Sequence, residues 1–245
     1  MSDTLNETPG LAARGWLETY PANPGAGDLY RGAKPDVARK WEQAALFLAE
    51  MGAGDPAAVH EQVARQIADL GLTFRIAGDE DERTWPLTAM PVIIGADEWN
   101  GVEQGLIQRA RLLESLAQDI YGPQNLIANG DLPAAVVAGS PYFTPRMVGQ
   151  GPRAGSLIHV YAADLARGPG GEWRVLQDRV RLATGVGYAL ENRLAMSRMT
   201  ESMLGRINVR RLARFFSTLR AGMAGDCQRE NPRLALLTPG RFNQT

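Results

Sequence analysis

The amino-acid sequence predicts an α+β protein whose first part is mainly helical. Apolar residues recur at the spacing of a helix face up to about residue 120, and two extended runs joined by a glycine-rich turn follow after residue 156. The chain has 245 residues, 44% of them apolar, which is long enough to bury roughly 70–75% of the surface of its unfolded form. These features indicate a globular chain with one helical part and one part that contains strands.

Three helices and one strand are predicted in the first part. Residues 35–51 and 56–70 each place apolar side chains on one face, begin with a proline and end before a glycine. Residues 72–76 alternate apolar and polar side chains, as a half-buried strand does. A longer amphipathic helix is predicted to extend from residue 99 to residue 116.

The second part is predicted to begin with a β-hairpin. Extended runs at 157–165 and 173–180 flank the turn Gly-Pro-Gly-Gly. A helix headed by Asn208 and a short strand at 234–237 are predicted to follow.

Composition shifts predict three sections of chain. Residues 1–30 are rich in glycine, proline and asparagine and are expected to be an irregular lead-in. Residues 31–150 form the predicted helical subdomain. The stretch 139–156 is too rich in glycine and proline for a regular element, so residues 151–245 are assigned to a second subdomain.

Charge and cysteine usage restrict the functional classes. The formal net charge is -1, so no overall attraction to nucleic acid is expected. Cys227 is the single cysteine, which excludes an internal disulfide and favours a reducing cytoplasm. The sequence shows no secretory signal and no apolar run of membrane-spanning length, so no membrane association is expected.

The stretch from Asp178 to Arg193 contains the residues that are best suited to chemistry. Asp178, Glu191 and Asn192 offer the hard oxygen ligands that Mg²⁺ prefers. The intervening glycines would allow backbone N–H groups to approach a phosphate, and Arg193 could balance negative charge. The same pattern also suits a plain hairpin with solvated acids, and chemistry alone leaves both interpretations open.

The motifs of this region resemble those of the circularly permuted ATP-grasp family (type 2). The resemblance rests on Asp-Leu-Ala-Arg at 164–167, Glu-Trp-Arg-Val-Leu-Gln-Asp-Arg at 172–179 and Ala-Thr-Gly-Val-Gly-Tyr-Ala-Leu-Glu-Asn-Arg at 183–193. It extends upstream through Asp-Ile-Tyr-Gly at 119–122 and Gly-Leu-Ile-Gln-Arg at 105–109 to Glu-Trp at 98–99. Downstream it reaches Leu-Leu-Thr-Pro-Gly at 236–240 and Asn243. Matches at several separated and ordered positions make this resemblance specific.

The resemblance implies an ATP-dependent carboxylate–amine ligase that acts through an acyl phosphate. It implies that ATP and Mg²⁺ bind and that a carboxylate and an amine are the other substrates. By similarity, the following residues are assigned to the site: Asp178, Glu191 and Asn192 as metal ligands, Gly185, Gly187 and Tyr188 as a loop facing the phosphates, Arg193 beside that loop, and Arg109 on the substrate or phosphate side.

Two departures from the family pattern affect these expectations. The family has Pro-Ser-Gly where this chain has Ala183-Thr184-Gly185, which keeps a hydroxyl but loses the rigid proline. The family also continues well beyond the Thr-Pro-Gly motif. The expected fold is therefore a helical subdomain followed by half of an ATP-grasp-like α+β fold, inactive alone and completed by a C-terminal half.

Two alternatives remain at this stage. The chain could be a non-catalytic interaction module derived from an ATP-grasp protein. The arginines between residues 206 and 220 could also contact nucleic acid, although their spacing suits the solvated face of an amphipathic helix better.

Overall fold

A computed structural model describes residues 15–21, 27–52, 54–75, 81–151, 156–200, 203–225 and 227–237. About half of the described residues are helical and 8% lie in strands, in two small antiparallel sheets. The predicted α+β class is therefore confirmed. No helix among the described residues is long and apolar enough to cross a membrane.

Two helices form a hairpin in the first part, as predicted. Helix α1 covers Pro35–Met51, and helix α2 covers Pro56–Asp69. Both begin with a proline, and the Asp55 carboxylate caps α2 by accepting a hydrogen bond of 2.8 Å from the Ala57 N–H. The capping residue and the proline together fix the start of α2.

A small sheet and a long helix follow. Strand β1 (Thr73–Phe74) pairs antiparallel with β2 (Arg83–Thr84), so the strand predicted at 72–76 is confirmed in part. Ile76 lies outside the described residues. Helix α3 spans Ala96–Ile120, and short helices α4 (Asn125–Ala128) and α5 (Ala134–Ala138) and a 3-10 turn at Pro145–Met147 follow.

The predicted hairpin is present, although its first strand begins later than expected. Strand β3 (Ala162–Arg167) pairs with β4 (Trp173–Arg179) around a tight turn in which the Gly171 N–H donates to the Gly168 carbonyl. Gly171 has a φ of 87°, which favours glycine. Residues 156–158 do not join the strand because a carboxylate of α3 takes hydrogen bonds from them, as described below.

The last part of the described chain corrects two predictions. Helices α6 (Val186–Thr200), α7 (Met203–Arg206) and α8 (Ala213–Gly225) follow the hairpin. Asn208 does not head α8, because its left-handed φ of 54° places it in the turn after α7. The strand predicted at 234–237 is not formed, and Leu236 and Leu237 are almost fully exposed.

The core joins residues from distant parts of the chain. Its fully or nearly fully buried members come from α1, α2, the segment before α3, α6 and α7: Ala44, Leu48, Val59, Val63, Ile67, Ala89, Ala195, Met196 and Met203. Helix α2 packs against α6, and α6 packs against α7. Helix α6, which carries Glu191 and Asn192, is therefore anchored on the first helical hairpin.

Candidate active site

The predicted residues Arg109 and Asp178 are in direct contact. Arg109 lies on α3, and Asp178 lies near the end of β4. The guanidinium makes a two-point ion pair with the carboxylate, with a distance of 3.0 Å between Nε and Oδ1 and a second bond from Nη2 to Oδ2. Two residues separated by 69 positions are thus joined in a planar pair of matched geometry.

Tyr161 completes this cluster and was not predicted from the sequence. Its hydroxyl donates a hydrogen bond of 2.6 Å to Oδ1 of Asp178. The hydrogen bonds from Arg109 and then Tyr161 hold the pKa of Asp178 below its ordinary value. The pKa of Tyr161 is raised, first by burial and then by its bond to the carboxylate. Asp178 is therefore ionised at neutral pH.

A β-bulge turns Asp178 toward α3. Leu165 pairs with Val175 and Asp164 pairs with Gln177, so Leu176 is the extra residue of β4. An extra residue reverses the alternation of side chains between the two faces of a strand. Trp173, Val175 and Asp178 are accordingly less exposed than Leu176, which is 69% exposed. Simple alternation from Trp173 would have placed Asp178 on the opposite face.

A second anchor joins α3 to the other end of the hairpin. The Glu98 carboxylate accepts hydrogen bonds from Nε1 of Trp173 at 2.8 Å and from Nε of Arg167 at 2.9 Å. Burial is the largest single influence on the pKa of Glu98 and raises it. The hydrogen bonds from Trp173 and Arg167 and nearby positive charge together outweigh burial, so the pKa of Glu98 lies below its ordinary value. Both ends of the hairpin are therefore fixed to one helix.

The predicted metal ligand Asn192 has a different environment. Its Oδ1 accepts a hydrogen bond of 2.6 Å from Nε1 of Trp85. The Trp85 ring stacks on Tyr188, with centroids 4.9 Å apart and 12° between the planes. Tyr188 and Asn192 lie four residues apart on α6, so both side chains occupy one face of the helix. Trp85 is thus a site-supporting residue that sequence reasoning missed.

The remaining predicted residues lie on or just before α6. Gly185 precedes the helix with a φ of 110°, whereas Gly187 and Tyr188 lie in its first turn. The expected loop therefore ends at Gly185. Glu191 is exposed, and the Arg193 guanidinium donates to the Arg210 carbonyl at 3.2 Å.

The predicted site residues are divided between two separate contact clusters. Arg109 and Asp178 form one cluster with Tyr161, whereas Tyr188 and Asn192 form another with Trp85. In the described part of the chain, no three His, Cys, Asp or Glu side chains are grouped in a way that could hold a metal ion. The predicted ligand set, two acids and one amide, stays a prediction.

The donor chemistry of the predicted set fits Mg²⁺. A carboxylate offers about four lone-pair positions, and Asp178 uses three of them for Arg109 and Tyr161. The Oδ1 of Asn192 accepts one bond from Trp85 and has a second lone pair. Each group can therefore still ligate through one lone pair, although the positive charge of Arg109 opposes a cation at Asp178.

Comparison with known proteins identifies relatives of the chain. The family model for circularly permuted ATP-grasp type 2 matches residues 91–245. An uncharacterized protein of Mycobacterium tuberculosis (strain ATCC 25618 / H37Rv) is 34% identical over 198 residues, which cover 80% of this chain and 36% of that protein. An uncharacterized protein of Synechocystis sp. (strain PCC 6803) is 34% identical over 208 residues, which cover 82% of this chain and 43% of that protein.

A relative with a ligase name matches over a shorter stretch. A protein of Frankia casuarinae named "Putative glutamate--cysteine ligase 2-2" is 40% identical over 136 residues, which cover 56% of this chain and 15% of that protein. The chain thus spans less than half of the length of each of these relatives. Because the family match covers more than half of its residues, the chain belongs to the circularly permuted ATP-grasp type 2 family.

Proposed function

We propose that the chain supplies the nucleotide- and magnesium-binding part of an ATP-dependent carboxylate–amine ligase. The observation that carries the proposal is the cluster of Arg109, Asp178 and Tyr161, which unites two separate family motifs at the edge of an open cleft. Family membership and the ligase name of the Frankia casuarinae relative support the reaction class. We also propose that the protein works in the cytoplasm, in keeping with its single cysteine.

Asp178, Glu191 and Asn192 are the residues that would hold Mg²⁺. When bound, the metal would offset the negative charge of the phosphates, including the charge that develops during phosphoryl transfer. Arg109 would offer its remaining N–H donors to an anionic substrate group while Nε and Nη2 stay bonded to Asp178. Tyr161 would help to hold Asp178 in place through its hydrogen bond to Oδ1.

The start of α6 would face the phosphates. The first turn of a helix has N–H groups without acceptors inside the helix and carries the positive end of its dipole. Gly185 is exposed, with no atom within 4 Å of the position that a Cβ would take. A phosphate could therefore approach the backbone closely, with Arg193 nearby in sequence adding positive charge.

In the proposed reaction, a substrate carboxylate oxygen attacks the γ-phosphorus of ATP, and ADP leaves. The amine then attacks the acyl phosphate carbon, and phosphate leaves as the amide bond forms. The other parts of the family's chain would supply further residues for these steps. We propose accordingly that these 245 residues alone bind Mg-ATP with a Kd of about 1 mM or weaker and release no ADP.

Titration calorimetry with ATP, with and without Mg²⁺, tests the proposal. We expect Mg²⁺-dependent binding that Asp178→Asn reduces at least about tenfold, because a metal ligand loses its charge. Asp164→Asn is the matched control, since Asp164 lies on the partner strand and pairs with Arg179 outside the proposed site. ATP binding that changes neither on removal of Mg²⁺ nor in Asp178→Asn would contradict the proposal.

A second variant separates a ligase from an interaction module. In a complete relative, the glutamate equivalent to Glu191 is changed to glutamine and ATP turnover is measured. A ligase should lose turnover, whereas a docking module should keep its partner and show no dependence on this side chain. Unchanged turnover would remove Glu191 from the proposed ligand set.

A further inference from the structure

We propose that the cleft between α3 and the β3–β4 hairpin binds the carboxylate substrate of the ligase, and that this substrate is an elongated carboxylate with an apolar body. The inference rests on the proposed function, because it assigns the second substrate of the same site. The cleft has a volume of about 570 Å³, within the range of small-molecule sites.

The two anchors of the hairpin set the length of the cleft. Glu98 contacts Trp173, and Arg109 contacts Asp178, so α3 and β4 run parallel. The distance between the two anchors is about 16 Å along the helix at 1.5 Å per residue. It is also about 16 Å along the strand at 3.3 Å per residue. A ligand between the anchors would therefore lie extended along both elements.

The floor of the cleft is a part of α3 where two glycines leave the backbone without side chains. Gly101 and Gly105 lie one turn apart on α3, both line the cleft, and a Cβ added to either would meet no atom within 4 Å. Apolar side chains form part of the walls beside this floor: Val102, Leu106, Leu165 and Val175. Charged and polar side chains complete the lining: Glu98, Gln108, Arg109, Glu172 and Arg174. The apolar part of the walls favours an apolar body over a small polar one.

One end of the cleft carries a positive charge beside the proposed metal ligand. Arg109 lines the cleft and its side chain is 47% exposed. A guanidinium has five N–H donors, and the bonds to Asp178 come from Nε and Nη2. Donors on Nη1 can therefore receive a substrate carboxylate. A carboxylate held there would lie next to Asp178, where phosphoryl transfer is proposed.

The opposite assignment, a nucleotide in this cleft, is less favoured. The residues proposed to face the phosphates lie on or just before α6, and the lining of the cleft comes from α3 and the hairpin. Of the Arg109–Asp178 pair, Arg109 lines the cleft and Asp178 lies beside it, and no residue of 185–193 is part of the lining. The cleft thus extends from Arg109, beside the proposed reaction centre, toward Glu98 and Trp173, as expected for a site that holds the body of the second substrate.

NMR titration of the 245-residue chain with N-acetyl-Leu-Phe tests the inference. We expect saturable binding with shifts at Gly101, Gly105 and the indole N–H of Trp173. The same compound with a carboxamide end should bind at least about tenfold more weakly, because the charge-assisted bond to Arg109 is lost. L-Glutamate should also bind at least about tenfold more weakly, because it has no apolar body.

A larger side chain in the floor of the cleft tests whether N-acetyl-Leu-Phe binds there. Gly105→Leu fills the cleft, whereas Gln104→Leu adds an apolar side chain at the exposed neighbouring position, which is not part of the lining. We expect at least about tenfold weaker binding of N-acetyl-Leu-Phe to Gly105→Leu and no change for Gln104→Leu. Thermal unfolding should show that both variants fold, since leucine has a higher helix propensity than glycine and about the same as glutamine.

The outcomes separate this inference from the proposed function. No binding of N-acetyl-Leu-Phe at about 10 mM, equal binding of the carboxamide, preference for glutamate, or unchanged binding to Gly105→Leu would each overturn the inference. Mg-ATP binding to Gly105→Leu should be retained. If peptide binding follows the expectation while ATP binding is insensitive to Mg²⁺ and to Asp178→Asn, the cleft still binds an elongated apolar carboxylate, but the ligase proposal fails.

Discussion

At the scale of single residues, the charge of Asp178 is the central quantity of the site. Its pKa is lowered by Arg109 and then by Tyr161. A carboxyl group with a lowered pKa in the folded state stabilises the fold above the pKa of the unfolded chain. This contribution is lost as the pH falls through the lower folded-state pKa. The Arg109–Asp178 contact should thus persist at neutral pH and weaken only in acid.

Tyr161→Phe tests the contribution of the tyrosine hydroxyl. The change removes the hydrogen bond to Asp178 and keeps the ring. We expect the pKa of Asp178 to rise toward its ordinary value without reaching it, because Arg109 remains paired. The free energy of unfolding at pH 7 should fall by about 1 kcal/mol. Carboxyl ¹³C NMR titration measures the pKa.

Tyr142→Phe serves as the control for this change. Tyr142 is 65% exposed, and Arg181 contacts its ring, which phenylalanine retains. The control should leave the pKa of Asp178 unchanged. An unchanged pKa in Tyr161→Phe as well would show that the hydroxyl does not influence the carboxylate in solution.

At the scale of elements, α3 organises the site through polar contacts. None of its residues is fully buried. Instead, Glu98 and Arg109 hold the hairpin, Glu103 pairs with Arg210 before α8, and Glu114 holds the segment before β3. The orientation of the hairpin relative to α3 therefore depends on charged side chains more than on apolar packing.

Glu114→Gln should weaken this attachment. The Glu114 carboxylate accepts bonds from the Leu157 and Ile158 N–H groups at 2.7 and 2.8 Å. Burial is the largest single influence and raises its pKa, but these bonds and those from Gln118 and Ser156 outweigh it, so the net pKa is lowered. We expect a loss of about 1–3 kcal/mol in the free energy of unfolding by urea at pH 7.

The effect of Glu114→Gln should depend on pH. Because the folded-state pKa is lowered, the difference from the parent chain should shrink as the pH falls through that value. Glu103→Gln on the same helix is the control and should cost about 1 kcal/mol or less, since the side chain of its partner Arg210 is 63% exposed and solvent screens the pair. Equal losses in the two variants would contradict the special role of Glu114.

Two glycine substitutions should act in opposite directions. Gly101→Ala on α3 places its Cβ in open space, so we expect a gain of about 0.5–1 kcal/mol in helix stability. Gly52→Ala after α1 would bring a Cβ against the Val59 side chain and to 2.5 Å from the Asp55 carbonyl oxygen, so it should destabilise. Thermal unfolding measures both, and a fall in Tm for Gly101→Ala would contradict the open floor of the cleft.

Local patterns predicted the helices better than the contacts of the site. The apolar spacing and the proline–glycine boundaries located α1 and α2, because both signals lie within the helix itself. Asn208 failed as a helix start because its left-handed backbone depends on the preceding turn. Residues 234–237 have strand-like composition, but a strand also needs a partner.

The contacts at the site depend on pairings between distant residues. Trp85 and Asn192 are separated by 107 positions, and no local pattern in either segment indicates the other. Asp178 was identified through a family motif, yet its orientation depends on the bulge at Leu176. Bulges arise from strand pairing, so alternation within β4 alone could not show which face Asp178 occupies.

At the scale of the whole molecule, one core connects the helical first part to the helix that carries Glu191 and Asn192. Ile67 on α2 is fully buried, and it shares a cluster with Ala195 and Met196 on α6. These residues lie on opposite sides of the sequence division predicted near residue 150. A common core should make α2 and α6 unfold together, because neither keeps its buried surface without the other.

Ile67→Ala tests this coupling. The change should cost about 2–5 kcal/mol, because it leaves a cavity in a fully buried position. The free energy of opening measured by amide hydrogen exchange should then fall by the same amount in α2 and in α6. Ile107→Ala on α3 is the control, since Ile107 is 36% exposed and its change should cost less. Retained protection in α6 would mean that the segments before and after residue 150 unfold independently, and the proposed metal ligands would then not depend on the helical hairpin for their support.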